Sequence, residues 1–155
     1  MSIEIDLVRE FQIATGKRDF SSAEVANWAL VNGKYQSPPS DERARLAAKI
    51  SRALRSEHFT DPQGRRVRLM HAVTNREGQK TFAFWHDMRS APPDVMQRAM
   101  QQRRQQSVAD NYHLKQDIDS YNENYNPGEP IQCELDYTLD IAELEAARMG
   151  QGKTG

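Results

Sequence analysis

Two hydrophobic periodicities meet within one stretch of the chain, residues 40–85. In its first part, apolar residues recur at three- and four-residue spacings, as on one face of a helix. Across residues 67–73, apolar side chains occupy alternate positions, which predicts a half-buried strand. A polar loop at 74–79 and a return strand at 81–85 follow. The stretch therefore predicts a helix, a tight connection and a β-hairpin.

The helical part of this stretch places apolar and basic residues on opposite sides. Ser40 suits the N-cap position, and acidic residues occupy the first turn, where the helix dipole favours them. The apolar stripe consists of Leu46, Ala47, Ile50, Ala53 and Leu54. The opposite half carries Arg45, Lys49, Arg52 and Arg55. A helix with such a basic half is suited to contact phosphate groups.

Two further helices are expected before this stretch. The first spans about Ile3 to Thr15 and ends at Gly16, with Ile3, Leu7, Val8, Phe11 and Ala14 on its apolar face. The second begins with a capping box formed by Ser21 and Glu24 and ends at Asn32-Gly33. Val25, Trp28, Ala29 and Val31 are its candidate buried residues.

The resulting order of three helices followed by a hairpin, over residues 3–86, resembles a winged helix-turn-helix domain. The resemblance implies that the third helix enters the DNA major groove and that the hairpin is the wing. No clear strand separates the first two helices, although residues 17–20 are candidates for a short one.

Charge is unevenly distributed along the chain. Residues 40–80 carry ten basic and five acidic side chains, whereas residues 89–155 carry seven basic and eleven acidic ones. A basic front half predicts an anionic partner. The candidate nucleic-acid-binding residues are Arg45, Lys49, Arg52, Arg55, Arg65, Arg66, Arg68, Arg76 and Lys80. Arginine predominates, and its planar fork suits both phosphate groups and guanine edges.

The second half opens with a long helix. Residues 94–123 contain neither proline nor glycine, and Pro92-Pro93 stands where a helix start tolerates proline. A stripe close to coiled-coil spacing predicts a homodimer interface made by Met100, Arg104, Ser107, Asn111, Leu114 and Ile118. The alternative is a helix broken near His113 that folds back on its own domain.

The C-terminal part predicts one more strand and a short helix. Ile131, Cys133, Leu135 and Tyr137 alternate with polar residues, which favours a half-buried strand with a buried cysteine. A capping-box pattern at residues 140–143 then opens a helix that ends at Gly150. A small-molecule pocket is conceivable where Leu135 and Tyr137 meet Leu114 of the long helix.

Catalysis and metal binding have no positive sign in the sequence. The four histidines lack ligand-like spacing, and His71, on the apolar face of its strand, is interpreted as a core or interface residue. We therefore expect no catalytic site, metal or cofactor. The acidic start, the single cysteine and the lack of a long apolar run favour a cytoplasmic chain without membrane contact.

The sequence thus predicts an α+β, mainly helical chain. We expect a winged-helix domain at 1–88, followed at 89–155 by a long helix and a small strand-helix segment for dimerisation or interaction. The predicted function is sequence-specific binding of double-stranded DNA by a homodimeric transcriptional regulator. The alternative is a winged-helix adaptor that binds proteins, through its acidic C-terminal region, without direct DNA contact.

Overall fold

The chain consists of helices and two small antiparallel sheets. The structure is a computed structural model, which describes residues 2–36 and 42–151 apart from the side chain of Arg43. In chain order the elements are α1 (Ile3–Thr15), α2 (Ser22–Val31), α3 (Glu42–Ser56), β1 (His58–Thr60), β2 (Arg66–Arg68), β3 (Met70–Glu77), β4 (Lys80–Asp87), α4 (Pro93–Asn124) and α5 (Thr138–Gln151). The predicted α+β, mainly helical class is confirmed. The predicted cap at Ser40 lies outside the described residues.

The chain divides into two compact units, residues 1–53 and 54–155. This division falls within α3, whereas the sequence predicted a boundary between residues 88 and 89. Helix α4 packs on β3 within the second unit, so elements on both sides of the predicted boundary lie together.

Helices α1 and α2 begin and end where the sequence predicts. Ser2 caps α1, and Gly16 ends it with φ +70° and an N–H donated to the Gln12 carbonyl. At α2 the Ser21 hydroxyl accepts from the Glu24 N–H at 3.1 Å, and the Glu24 carboxylate accepts from the Ser21 N–H at 3.2 Å. The reciprocal pair satisfies backbone donors that a helix start otherwise leaves open.

The core of the first unit forms around Phe11. Its ring makes edge-to-face contacts with Phe20 and Trp28, at centroid distances of 6.0 and 5.9 Å. Val25 and Ala29, which lie on either side of Trp28 in the sequence of α2, are also buried. Three of the predicted apolar positions are wrong: Ile3, Ala14 and Val31 lie near helix ends and are exposed.

Helix α3 is regular, but its apolar stripe is not buried. Leu46 and Ile50 are 58% and 50% exposed, while Leu54, at the start of the second unit, is half-buried. The stripe was inferred from spacing, which fixes the face on which residues lie but not what covers that face.

Hairpin β1–β2 connects α3 to the main hairpin. Strand β1 was not predicted, and the predicted strand at 67–73 is interrupted at Leu69, so that its residues belong to β2 and β3. Phe59 pairs with Val67 across it. The predicted turn at 61–64 is confirmed: the Gly64 N–H donates to the Asp61 carbonyl at 2.9 Å. Residues 17–20, the candidate short strand between the first two helices, are not in a strand.

Hairpin β3–β4 is longer than predicted. Strand pairing continues to Glu77 opposite Lys80, so the expected polar loop at 74–79 is wrong: residues 74–77 belong to β3, and only residues 78 and 79 form the turn. Gly78 in that turn has φ +64°, a conformation that glycine adopts without strain. His71 and Val73 are buried, which confirms the predicted inward face and the interpretation of His71 as a core residue.

Helix α4 is unbroken over 32 residues, so the predicted long helix is confirmed and a break near His113 is wrong. Its first half lies on β3, where Ala99 is fully buried. The Arg98 guanidinium donates to the Asn75 side-chain oxygen at 2.8 Å. This packing ties the long helix to the hairpin.

The segment at 131–137 forms no strand, contrary to the sequence prediction, and Cys133 is exposed. The backbone N–H and carbonyl of Ile131 are bonded instead to the side chain of Asn122 in α4. Helix α5 begins at Thr138, two residues before the predicted capping box. At this start the Asp136 carboxylate accepts from the Thr138 N–H at 3.1 Å and from the Thr138 hydroxyl at 2.7 Å, which satisfies one backbone donor of the first turn.

Candidate nucleic-acid interface

The basic side chains predicted on α3 are exposed in the first unit. Arg45, Lys49 and Arg52 lie three to four residues apart, which places them along one side of the helix. Their chemistry suits repeated contacts to a phosphate backbone.

Arg55 belongs to the second unit and contacts hairpin β3–β4. Its guanidinium lies 6.0 Å from the centre of the Trp85 ring, a cation–π distance. The side chain remains exposed, so its charge is positioned against the hairpin without being buried.

Arg65 is a predicted site residue whose charge is compensated by a neighbouring acid. Its Nε donates to the Asp61 carboxylate at 2.7 Å, and its backbone N–H donates to the same carboxylate at 2.8 Å. The side-chain and backbone hydrogen bonds from Arg65 lower the pKa of Asp61. Arg65 therefore stabilises the turn between β1 and β2 through its bonds to Asp61.

Arg66 and Arg68 lie on β2 and line a concavity that Arg103 of α4 also lines. Burial, followed by the nearby charges of Arg103 and Arg55, lowers the pKa of Arg68. The sequence analysis missed Arg103 as a site residue, because its nearness to β2 depends on the packing of α4 against the hairpin.

Arg76 and Lys80 flank the turn at the end of hairpin β3–β4. Arg76 pairs with Thr81 and Lys80 pairs with Glu77 in the strand register, and both basic side chains are exposed. The tip of this hairpin thus offers two cations that can reach a partner in solution.

The predicted dimerisation stripe is partly covered by the chain's own C-terminal segment. Asn111 accepts a hydrogen bond from the Tyr137 hydroxyl. Arg104, Ser107 and Asn111 border a shallow concavity whose opposite side is Leu135 and Tyr137. Of the other stripe residues, Met100 and Leu114 are each 40% exposed and Ile118 is half-buried.

This concavity lies where the sequence analysis placed a pocket between the long helix and the C-terminal segment. Leu135 and Tyr137 line it as expected, but Leu114 does not belong to its lining.

No group of three or more histidine, cysteine, aspartate or glutamate side chains within residues 2–36 and 42–151 could hold a metal ion. Over the same residues, no helix combines the length and the apolar character needed to cross a bilayer.

Comparison with known proteins gives no match to a family model, a curated protein or a solved structure.

Proposed function

We propose that this chain binds double-stranded DNA through basic side chains of α3 and of hairpin β3–β4, and that it acts as a transcriptional regulator. In this proposal α3 is the recognition helix of a winged helix-turn-helix domain and β3–β4 is its wing. Hairpin β1–β2 is an additional element that follows α3 and precedes β3 in the chain.

One observation carries the proposal: four exposed basic side chains form no ion pair with a described residue, while two nearby acids are engaged elsewhere. Asp61 is paired with Arg65, and Asp87 is paired with Arg89. Within the described part of the chain, Lys49, Arg66, Arg76 and Lys80 form no ion pair. Such cations can displace the counterions of a duplex, which drives binding.

Duplex affinity measured over a salt series tests the proposal. Affinity should fall steeply as salt rises, and Arg76→Ala should reduce the logarithmic slope by about 0.9 for one lost phosphate contact. Arg52→Ala should also weaken binding. Arg148→Ala is the matched control, because this exposed arginine lies in α5, outside the proposed interface. Unchanged affinity in both Arg52→Ala and Arg76→Ala would reject the interface.

The proposed DNA binder is a homodimer joined through α4. Because the chain's own residues 135–137 border the middle of the α4 stripe, the open ends of the stripe are the available contacts. Solution mass distinguishes the states: Leu114→Glu should yield monomer, whereas Lys115→Glu, one position away, should not. A wild-type chain that is monomeric in solution would contradict the proposed homodimer.

A second candidate function, a protein-interaction adaptor, is favoured by α5. Ile141 and Leu144, three residues apart on one side of this helix, are 54% and 71% exposed, and adjoining exposed apolar side chains mark interaction surfaces. An adaptor would bind its partner with little dependence on salt and would lose affinity in Leu144→Ser rather than in Arg76→Ala.

A further inference from the structure

A basic cavity lies within the second unit, where both hairpins meet α4. Its volume is about 350 Å³, within the range of small-ligand sites. The residues that line it are His58, Arg66, Val67, Arg68, His71, Met88, Met100 and Arg103. Three arginines and two histidines therefore face one space, together with three apolar side chains.

The cations of this cavity are not neutralised by the protein. No carboxylate belongs to the described lining, and Arg66, Arg68 and Arg103 form no ion pair with any described residue. Like charges brought together in a partly desolvated space repel one another. A bound anion would remove this repulsion.

His71 provides a second, independent sign of a missing ligand. The residue is 2% exposed, and its Nε2 lies 2.9 Å from the Arg68 carbonyl oxygen. A carbonyl can only accept, so Nε2 carries a proton. Nδ1 has no hydrogen-bond partner in the described structure, although buried polar atoms usually have one. In the neutral ring Nδ1 is an acceptor; once His71 is protonated, Nδ1 becomes a donor that can bind an anion.

We propose that this cavity binds the phosphate group of a small phosphorylated molecule. Arg66, Arg68 and Arg103 supply the planar donors that recognise phosphate oxygens. Val67, Met88 and Met100 supply an apolar wall for the organic part of the ligand. The proposal does not depend on duplex binding, since it concerns a concave space within the second unit and a free ligand.

Calorimetric titration with inorganic phosphate and with phenyl phosphate tests the site, with chloride adjusted to hold ionic strength constant. We expect saturable binding, tighter for phenyl phosphate because of the apolar wall. Arg103→Gln should weaken binding about tenfold or more, the effect of losing a charge-assisted hydrogen bond. Arg104→Gln is the matched control: it is the next residue of α4 and lines a different concavity.

Arg68→Gln, tested in the same way, keeps the proposal open to refutation if Arg103→Gln fails to fold. Absence of saturable binding to the wild-type chain at millimolar ligand overturns the proposal. Equal weakening by Arg103→Gln and Arg104→Gln also overturns it, because the effect would then be one of general charge.

The imidazole of His71 gives a readout that a purely structural histidine would not. Arg68 and Arg103 face it, His58 and Arg66 also line the cavity, and His86 is its cross-strand partner. A bound anion stabilises the imidazolium, so the pKa of His71 should rise when ligand is added. Sulfate remains a dianion over this pH range, and its affinity should therefore increase as pH falls through the pKa of His71.

A duplex oligonucleotide separates this inference from the proposed function. If the small anions bind and the duplex does not, the cavity proposal stands and duplex binding is rejected. If the duplex perturbs His71 and the small anions do not, the cavity proposal is overturned and Arg66 and Arg68 belong to the duplex interface.

Discussion

The side chain of Gln102 forms two hydrogen bonds with the backbone of Thr74. Its Oε1 accepts from the Thr74 N–H at 2.8 Å, and its Nε2 donates to the Thr74 carbonyl at 3.0 Å. Thr74 lies in β3, whose strand partner on one side is β4. One amide group from α4 thus occupies the position that a neighbouring strand would take, and it protects part of an open sheet edge.

Gln102→Ala should therefore lower the free energy of unfolding of the second unit by about 1–2 kcal/mol, through the loss of two hydrogen bonds to backbone. Gln101→Ala is the control, since this neighbour is exposed. Chemical denaturation measures both values. Equal stability of the two variants would contradict the role of Gln102.

Local patterns predicted the features that a few neighbouring residues determine. The capping box of Ser21 and Glu24 and the end of α1 at Gly16 need only adjacent backbone, and both were predicted from sequence. The alternation across residues 131–137 indicated a strand, but a strand also needs a partner edge. Asn122 binds the backbone of Ile131 instead, a contact that periodicity does not reveal.

The same distinction applies to the candidate sites. The basic character of residues 40–80 is evident from the sequence, and it predicted Arg66 and Arg68 as candidate site residues. Their assembly with Arg103 and His71 into one cavity requires α4 to pack on β3. Sequence spacing between residues 68 and 103 contains no signal of that nearness.

The stability of the second unit should fall as pH decreases from about 7 to 5. Burial, then the charges of Arg103 and Arg68, lowers the pKa of His71 below its ordinary 6.5, although its bond to the Arg68 carbonyl opposes the shift. The unfolded chain therefore binds a proton at higher pH than the folded chain, and acidification favours unfolding. Denaturation midpoints across this range measure the effect.

His71→Gln should reduce that pH dependence, because it removes the titrating group. His113→Gln is the control, since His113 is exposed on α4. The same slope in His71→Gln as in the wild-type chain would assign the pH dependence to other groups.

Arg89 should hold the pKa of Asp87 below its ordinary value. The Arg89 Nη2 donates to the Asp87 carboxylate at 2.8 Å, and the side-chain and backbone bonds from Arg89 lower the pKa of Asp87 to about 2. Arg89→Gln should raise this pKa toward its ordinary 3.8. Carbon-13 NMR titration of the carboxyl measures the change, with Arg104→Gln as a variant that should leave it unaltered.

The sign of the associated stability change follows from the lowered pKa. In the wild-type chain, the stabilisation is present above pH about 4 and is lost as pH falls toward 2. Arg89→Gln should reduce the amount of stability that is lost on acidification. An unchanged pKa for Asp87 in the variant would show that other groups hold it low.

The capping box should contribute measurably to α2. Ser21→Ala removes the acceptor of the Glu24 N–H and should lower stability of the first unit by about 1 kcal/mol. Ser22→Ala, one residue later and within the helix, should have a smaller effect. Thermal denaturation followed by the fluorescence of Trp28 reports on this unit, and equal effects of the two substitutions would reject the capping contribution.

Asn122 holds the segment that follows α4. Its Oδ1 accepts from the Ile131 N–H and from the Asn126 side chain, each at 2.9 Å, while its Nδ2 donates to the Ile131 carbonyl at 2.9 Å. Asn122→Ala should therefore release residues 126–131 from α4 and accelerate hydrogen exchange at the Ile131 amide by about tenfold or more, as expected for losing a hydrogen bond of about 1.5 kcal/mol.

Asn124→Ala provides the matched control for this substitution. Among the described residues, the Asn124 side chain bonds only Ser120 of its own helix, so its removal should leave exchange at Ile131 unchanged. Because Ile131 lies in a segment without strand pairing, the side chain of Asn122 is the only partner of its N–H in the described structure. Slow exchange that persists in Asn122→Ala would mean that another group protects the amide, and the C-terminal segment would then be held to α4 by contacts other than this asparagine.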